Sequence, residues 1–141
     1  MIRVRLYSNG DDCFLVWSMP PTPNCWGFAL HRDLTTAGGK QFSGFLHNRI
    51  GFDGDDNPPH THKPSTEWPF QRYTWTDHGV GQGDTVCYTI SPVMKTANGL
   101  AVDATDQRRQ ARHLVPYVRT GRQRPAAGGP GPAFAGRRKR E

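Results

Sequence analysis

Residues 85–94, TVCYTISPVM, decide the fold of this chain. Val86, Tyr88 and Ile90 stand at every second position, so they share one face of an extended segment. Cys87 and the polar residues after it alternate on the other face. β-Branched and aromatic side chains at a period of two are typical of a half-buried strand. The segment therefore predicts the strongest strand of the chain.

Shorter segments of the same kind come before it, separated by turn residues. Asn9-Gly10, between the first two segments, is a strong hairpin signal. We count six or seven short strands and no helix before residue 106, a pattern that favours an all-β sandwich. The earlier segments are residues 2–6, 13–17, 26–30, 42–52 and 68–76.

Two aromatic positions narrow the type of sandwich. Trp17 is followed by Pro20, and Tyr88 lies in the penultimate strand. A tryptophan before a proline turn and a tyrosine in the penultimate strand both recur in fibronectin-III domains, where such rings fill the space between the sheets. We therefore expect a fibronectin-III or immunoglobulin-like sandwich. The last strand has two short candidates, residues 100–102 and 113–115.

Charge divides the chain into two parts. Residues 1–106 hold eight basic and eleven acidic side chains, whereas residues 107–141 hold ten basic side chains and one acidic one. The second part is also rich in Pro, Ala and Gly, a composition that cannot bury enough apolar surface to offset chain entropy. We expect a β-domain over residues 1–106 and a disordered tail over 107–141.

The chain lacks the patterns of an exported or membrane-spanning protein. No apolar run approaches the roughly 20 residues that cross a bilayer. The alternating residues 1–6 do not resemble a secretory signal. We therefore expect a cytoplasmic protein with reduced thiols.

The basic tail suggests one class of partner. Its cations could neutralise the phosphates of nucleic acid or of another anionic surface, and residues 137–140 also resemble a nuclear-import tetrapeptide. The interpretation that we prefer is a tail without a selected partner. The cations considered are Arg108, Arg109, Arg112, Arg137, Arg138, Lys139 and Arg140.

The acidic turn at residues 53–57 is a candidate calcium loop. Counted from Asp53, an EF-hand needs Gly at the sixth position and Glu at the twelfth, and Pro58 and Pro64 stand there instead. A solvated turn is the interpretation that we prefer.

Two histidines of the next segment are candidate zinc ligands. His60 and His62 could bind the ion with Asp55, Asp56 or His78, but the three cysteines are scattered. We prefer a polar surface loop, with a pH-sensitive role as an alternative, and predict no metal or other cofactor.

Cys13, Trp26 and Cys87 imitate the Cys–Trp–Cys pattern of immunoglobulin domains. Strand phase argues against a disulfide, because Cys13 and Cys87 should point to opposite sides of their strands.

Three aromatic residues could form a platform for sugar or nucleic acid: Trp68, Tyr73 and Trp75. Core packing is the commoner fate of such side chains, and it is the interpretation that we prefer.

Several motifs together resemble a known family. They are GFAL at residues 27–30, GF at 51–52, PSTEWPFQRYTWTD at 64–77 and GDTVCY at 83–88. In this order they resemble the N-terminal β-domain that precedes the catalytic region of bacterial phospholipase D-like proteins. The resemblance covers about residues 2–95.

The resemblance implies an accessory domain rather than the catalytic one. The family's chemistry depends on paired H-x-K-x-x-x-x-D motifs, and this chain has none: His62 and Lys63 are adjacent, and His60-Thr61-His62 lacks the lysine. No catalytic residue is assigned. We expect a non-catalytic accessory or interaction domain, a truncated relative whose tail follows a frame shift or early stop. The alternatives are nucleic-acid binding through the tail and a phosphodiesterase with an unrecognised site.

Overall fold

The computed structural model describes residues 1–117, which form β-strands and one short 3₁₀ turn at Ala104–Asp106. The all-β prediction is confirmed for this part of the chain. The strands are β1 (Arg3–Ser8), β2 (Cys13–Ser18), β3 (Cys25–Thr35), β4 (Gln41–Phe45), β5 (His47–Asn48), β6 (Lys63–Pro64), β7 (Thr74–Asp77), β8 (Thr85–Thr96), β9 (Gly99–Val102), β10 (Arg108–Arg109) and β11 (His113–Leu114).

The smaller of the two main sheets has the antiparallel order β1-β2-β7. Its hairpin closes at the pair Ser8 and Cys13, as the Asn-Gly signal predicts. The Asn9 side-chain oxygen accepts hydrogen bonds from the backbone of Asp11 and Asp12 at 3.0 and 2.9 Å. Gly10 supplies the positive φ of 98° that the turn needs.

The larger sheet is built on β8, which pairs with β3 along one edge, and β3 pairs with β4. A separate two-stranded sheet, β5-β6, joins two loops. Gly44 lies inside β4.

The other edge of β8 is covered by three short strands in succession. β9 pairs with residues 93–96, β10 with residues 89–90 and β11 with residues 85–86. Between β10 and β11 the Gln110 backbone N–H donates to the carbonyl of Tyr88 at 2.8 Å. Both candidates for the last strand are therefore strands, and they are parts of one interrupted edge.

This edge carries the fold past residue 106, where composition had placed the domain boundary. Arg108, Arg109 and His113 pair with β8, and Val115 is fully buried in the core. Two-residue strands have no periodicity of their own, so the arginine-rich composition concealed them. Residues beyond 117, including Arg137, Arg138, Lys139 and Arg140, lie outside the described part.

One core draws side chains from both main sheets. The smaller sheet contributes side chains from β1 and β2, and Ile2, just before β1, is also buried. The larger sheet contributes side chains from β3 and β8. The buried set includes Ile2, Leu15, Trp17, Phe28, Leu30, Val86, Tyr88 and Ile90. The face predicted for Val86, Tyr88 and Ile90 is the core face. Trp17 packs edge-on against Phe28, with ring centroids 5.6 Å apart.

The predicted strand over residues 68–76 is shorter than expected, because β7 begins at Thr74. Phe70 forms a bridge to Phe28 of β3 instead, through two backbone hydrogen bonds of 2.8 and 3.0 Å. The segment thus crosses from the larger sheet to the smaller one. Pro69, which has no N–H to donate, lies just before the crossing.

A buried carboxylate joins the two sheets. Asp77 of β7 is only 5% exposed and accepts hydrogen bonds from the Arg32 guanidinium at 2.9 and 3.1 Å. The Tyr88 hydroxyl donates to it at 2.6 Å and the Gly79 N–H at 2.9 Å. Burial raises the pKa of Tyr88 well above its usual value, and the neighbouring Asp77 charge adds to the effect. The phenol is therefore held in its donor form.

We predict that Tyr88→Phe lowers the free energy of unfolding by about 1–3 kcal/mol, because Asp77 loses a buried donor. Since the folded pKa of Tyr88 is raised, its contribution is complete below about pH 10, the usual pKa of tyrosine, and declines at higher pH. Urea unfolding measures the change. Tyr7→Phe, at an exposed position, is the control; equal stability of the two variants would contradict the prediction.

We also predict that a chain ending at residue 106 is far less stable than one ending at 117. The shorter chain loses β10, β11 and Val115, which leaves the edge of β8 unpaired. Thermal unfolding and size-exclusion chromatography should show a lower melting temperature and self-association for the shorter chain only. Equal behaviour of both chains would place the boundary at residue 106.

Candidate functional site

A β-bulge turns Trp26 out of the core. Cys25 pairs with Met94 and Gly27 pairs with Val93, so Trp26 is the extra residue on β3. Its side chain is 43% exposed. Bulges of this kind re-aim a side chain and are common beside functional sites.

Gly27 allows the close approach that the bulge requires. Its φ is +144°, and a Cβ there would lie 2.8 Å from Cβ of Pro69 and 2.9 Å from the carbonyl oxygen of Phe70. Only a residue without a side chain lets the crossing segment lie this close to β3.

Trp26, Phe52 and Tyr73 line what we call the aromatic groove. The rings of Trp26 and Phe52 meet edge-on with their centroids 5.3 Å apart. The Tyr73 side chain is 50% exposed, and its ring centroid lies 5.4 Å from that of Phe28. Two hollows of about 520 and 740 Å³ share Trp26 and Phe52, so the groove continues past both rings. These volumes lie within the range of small-molecule sites.

The acidic turn weighed as a calcium loop supports one wall of this groove. A carboxylate oxygen of Asp55 accepts a hydrogen bond from the backbone N–H of Phe52 at 2.9 Å. The carboxylate therefore braces the loop that presents the ring.

Cations border the groove. The Lys95 ammonium lies 5.3 Å from the centre of the Trp26 ring. Arg72 lines both hollows, and Arg49 lines the larger one. Within residues 1–117, neither Arg49 nor Arg72 has a side-chain hydrogen bond or an ion-pair partner.

A third hollow of about 610 Å³ adjoins the aromatic groove, and we call it the histidine groove. It shares Arg49 and Arg72 with the aromatic groove. Its other ionisable lining residues are His47, His62, Asp77 and His78.

His47 and His62 form a hydrogen bond between their Nδ1 atoms at 2.7 Å. The pairing of β5 with β6 places them diagonally across the two chains, since His47 pairs with Pro64 and His62 lies two residues before Pro64. One Nδ1 must carry a proton and the other must accept it, because two lone pairs or two N–H groups would repel.

The histidines weighed as zinc ligands do not come together as a set. His62 bonds to His47, whereas His78 bonds to a carboxylate oxygen of Asp12 at 2.7 Å. Across residues 1–117, no three His, Cys, Asp or Glu side chains are grouped closely enough to hold a metal ion.

The cysteine thiols lie on opposite faces of β8, as strand phase predicts. Cys13 packs in the core against the Tyr88 hydroxyl, and the Cys87 thiol donates to the carbonyl of Gln110 at 2.8 Å on the other face. All three cysteines are free. Burial raises the pKa of both the Cys13 and the Cys87 thiol, so each is held in its unreactive protonated form.

The three aromatic residues weighed as a platform have different surroundings. Trp68 is buried, Trp75 is half-buried against Phe70 at 4.1 Å, and only Tyr73 is exposed. Sequence reasoning missed Trp26 as a surface residue, because simple alternation places it with Phe28 on one face. Gly27 is the only local signal of the bulge that separates them.

The described arginines after residue 106 do not line either groove, and Arg108 and Arg109 pair with β8. Arg109 pairs with Asp33 at 3.3 Å, and Arg108 and Arg112 are exposed.

No helix within residues 1–117 is long and apolar enough to cross a membrane. The sequence matches no protein-family model, and it matches no curated protein.

We predict that Gly27→Ala costs about 1–3 kcal/mol of stability, because an alanine there is strained in φ and collides with Pro69 and Phe70. Thermal unfolding measures the loss. Gly39→Ala also has a positive φ but no atom within 4 Å, so it separates strain from collision. Equal losses of stability in the two variants would show that collision with Pro69 and Phe70 adds nothing to the cost of Gly27→Ala.

Proposed function

We propose that this chain is a non-catalytic β-domain that binds a ligand in the aromatic groove. The ligand carries a flat apolar group next to an anionic one. The observation that carries the proposal is the outward position of Trp26, which the bulge and Gly27 maintain at the expense of regular strand pairing.

The apolar part of the ligand follows from the exposed rings. An indole that is 43% exposed and a phenol that is 50% exposed lie around one continuous groove, and each could bury apolar area against a planar group. The Trp26 ring packs edge-on against Phe52, and the Tyr73 ring packs against Phe28. A ligand therefore meets a surface that is already formed, which lowers the entropy cost of binding.

The anionic part follows from charge complementarity. Arg72 has no partner among residues 1–117 and lines the groove beside the rings, and Lys95 lies over Trp26. An anion next to a planar group would meet a guanidinium that no carboxylate of the described chain already neutralises.

This role agrees with the accessory domain that the family resemblance implies, and with a fibronectin-III-like arrangement of the sheets. Support for the arrangement comes from the shared core, with Trp17 from one sheet and Tyr88 from the other. Burial raises the pKa of the Cys13 and Cys87 thiols, which disfavours either of them as a thiolate nucleophile.

The probe 8-anilinonaphthalene-1-sulfonate tests the proposal, because it joins planar rings to one anion. We predict saturable binding to one site, weakened about tenfold by Trp26→Ala, which corresponds to about 1.4 kcal/mol. Arg72→Gln should weaken binding less and reduce its dependence on salt. Fluorescence titration measures both effects.

Phe42→Ala is the matched control, since Phe42 is an exposed aromatic residue of β4 outside the groove. Because the dye also binds loosely packed proteins, near-ultraviolet circular dichroism must show each variant folded. If Trp26→Ala and Phe42→Ala changed the affinity for the dye equally, the result would contradict the proposal.

A further inference from the structure

We propose that the histidine groove is an oxyanion site, and that it takes the phosphate group of a ligand whose flat part lies in the aromatic groove. The inference rests on the proposed function for the flat part alone. The phosphate site has its own evidence, in the charges and hydrogen-bonding groups that line the histidine groove.

The lining has an excess of positive charge. Arg49 and Arg72 are without partners in the described part of the chain, and both line the histidine groove. Asp77 is the one carboxylate in the lining, and its oxygens already bind Arg32, Tyr88 and Gly79. An anion that enters would therefore meet two uncompensated guanidinium groups, the cations best suited to bidentate recognition of phosphate.

The histidine pair adds donors of a defined kind. Because Nδ1 of one ring accepts from Nδ1 of the other, the accepting imidazole must carry its own proton on Nε2. That Nε2–H is available to a ligand in every state in which the pair is intact. The groove thus offers at least one imidazole donor beside the two arginines.

The pair can also take up one positive charge without breaking. A proton added to Nε2 of the donating ring makes it an imidazolium, while its Nδ1–H still donates to the neutral partner. Both Nε2 atoms then donate. In either state the pair keeps at least one Nε2–H for an oxyanion.

The two grooves are arranged for one ligand. Arg49 and Arg72 line both the larger hollow beside Trp26 and the hollow beside His47. A phosphate held by these guanidinium groups would lie between the aromatic rings and the imidazoles. A phosphate ester of a planar alcohol matches this arrangement, whereas free phosphate would use the second groove alone.

The test is a titration of the full chain with inorganic phosphate and with phenyl phosphate at constant ionic strength. Binding is followed through the imidazole Cε1–H proton resonances. We expect both probes to shift the resonances of His47 and His62, and His47→Gln and Arg72→Gln each to weaken binding about tenfold or more.

Two matched controls isolate the groove. His60 and Arg5 are exposed residues outside its lining, so His60→Gln and Arg5→Gln should leave both affinities unchanged. Binding elsewhere in the chain would survive His47→Gln and Arg72→Gln, so the loss in these two variants assigns the binding to the groove.

The outcomes separate this inference from the proposed function. Trp26-dependent dye binding with no response of His47 and His62 to either phosphate would overturn the oxyanion site and leave the aromatic groove standing. A phosphate response that requires His47 and Arg72 supports the site. Tighter binding of phenyl phosphate, lost in Trp26→Ala, supports the joint ligand, and equal affinity for the two probes would overturn the joint ligand.

Discussion

Asp77 imposes the strictest constraint on this structure. A buried carboxylate is costly unless its oxygens are paired, and its partners here come from the opposite sheet. Arg32 and Tyr88 face each other on β3 and β8, while Asp77 faces Cys13 on β7 and β2. The contact therefore joins a cross-strand pair of one sheet to a cross-strand pair of the other. It fixes how the sheets lie over their common core.

The candidate site depends on the same geometry. The segment that ends at Asp77 first bridges β3 at Phe70, then passes Arg72 and Tyr73, and then joins the smaller sheet. Both grooves lie along this crossing, and Gly27 permits it. Arg72 and Tyr73 are thus held by backbone pairing at one end of the crossing and by the buried carboxylate at the other.

Alternation in the sequence was sufficient to predict the all-β class, the core face of β8, the first hairpin and the opposite positions of Cys13 and Cys87. It was not sufficient where an element is too short to have a period, as in β10 and β11, or where a bulge changes the phase, as at Trp26. The contact between His47 and His62 depends on a two-residue sheet that no local pattern signals. The family resemblance stays a prediction, as does any binding by the arginine-rich end of the chain.

The most direct test of this account is a double-mutant cycle between Arg32 and Asp77, with Arg32→Met, Asp77→Asn and the pair compared by urea unfolding. If the carboxylate joins the sheets as described, each single variant leaves a buried group without its partner. The account then predicts that the double variant loses less unfolding free energy than the two single variants together, by about 1–3 kcal/mol. Losses that add to within about 0.5 kcal/mol would contradict it, because independent residues behave in that way.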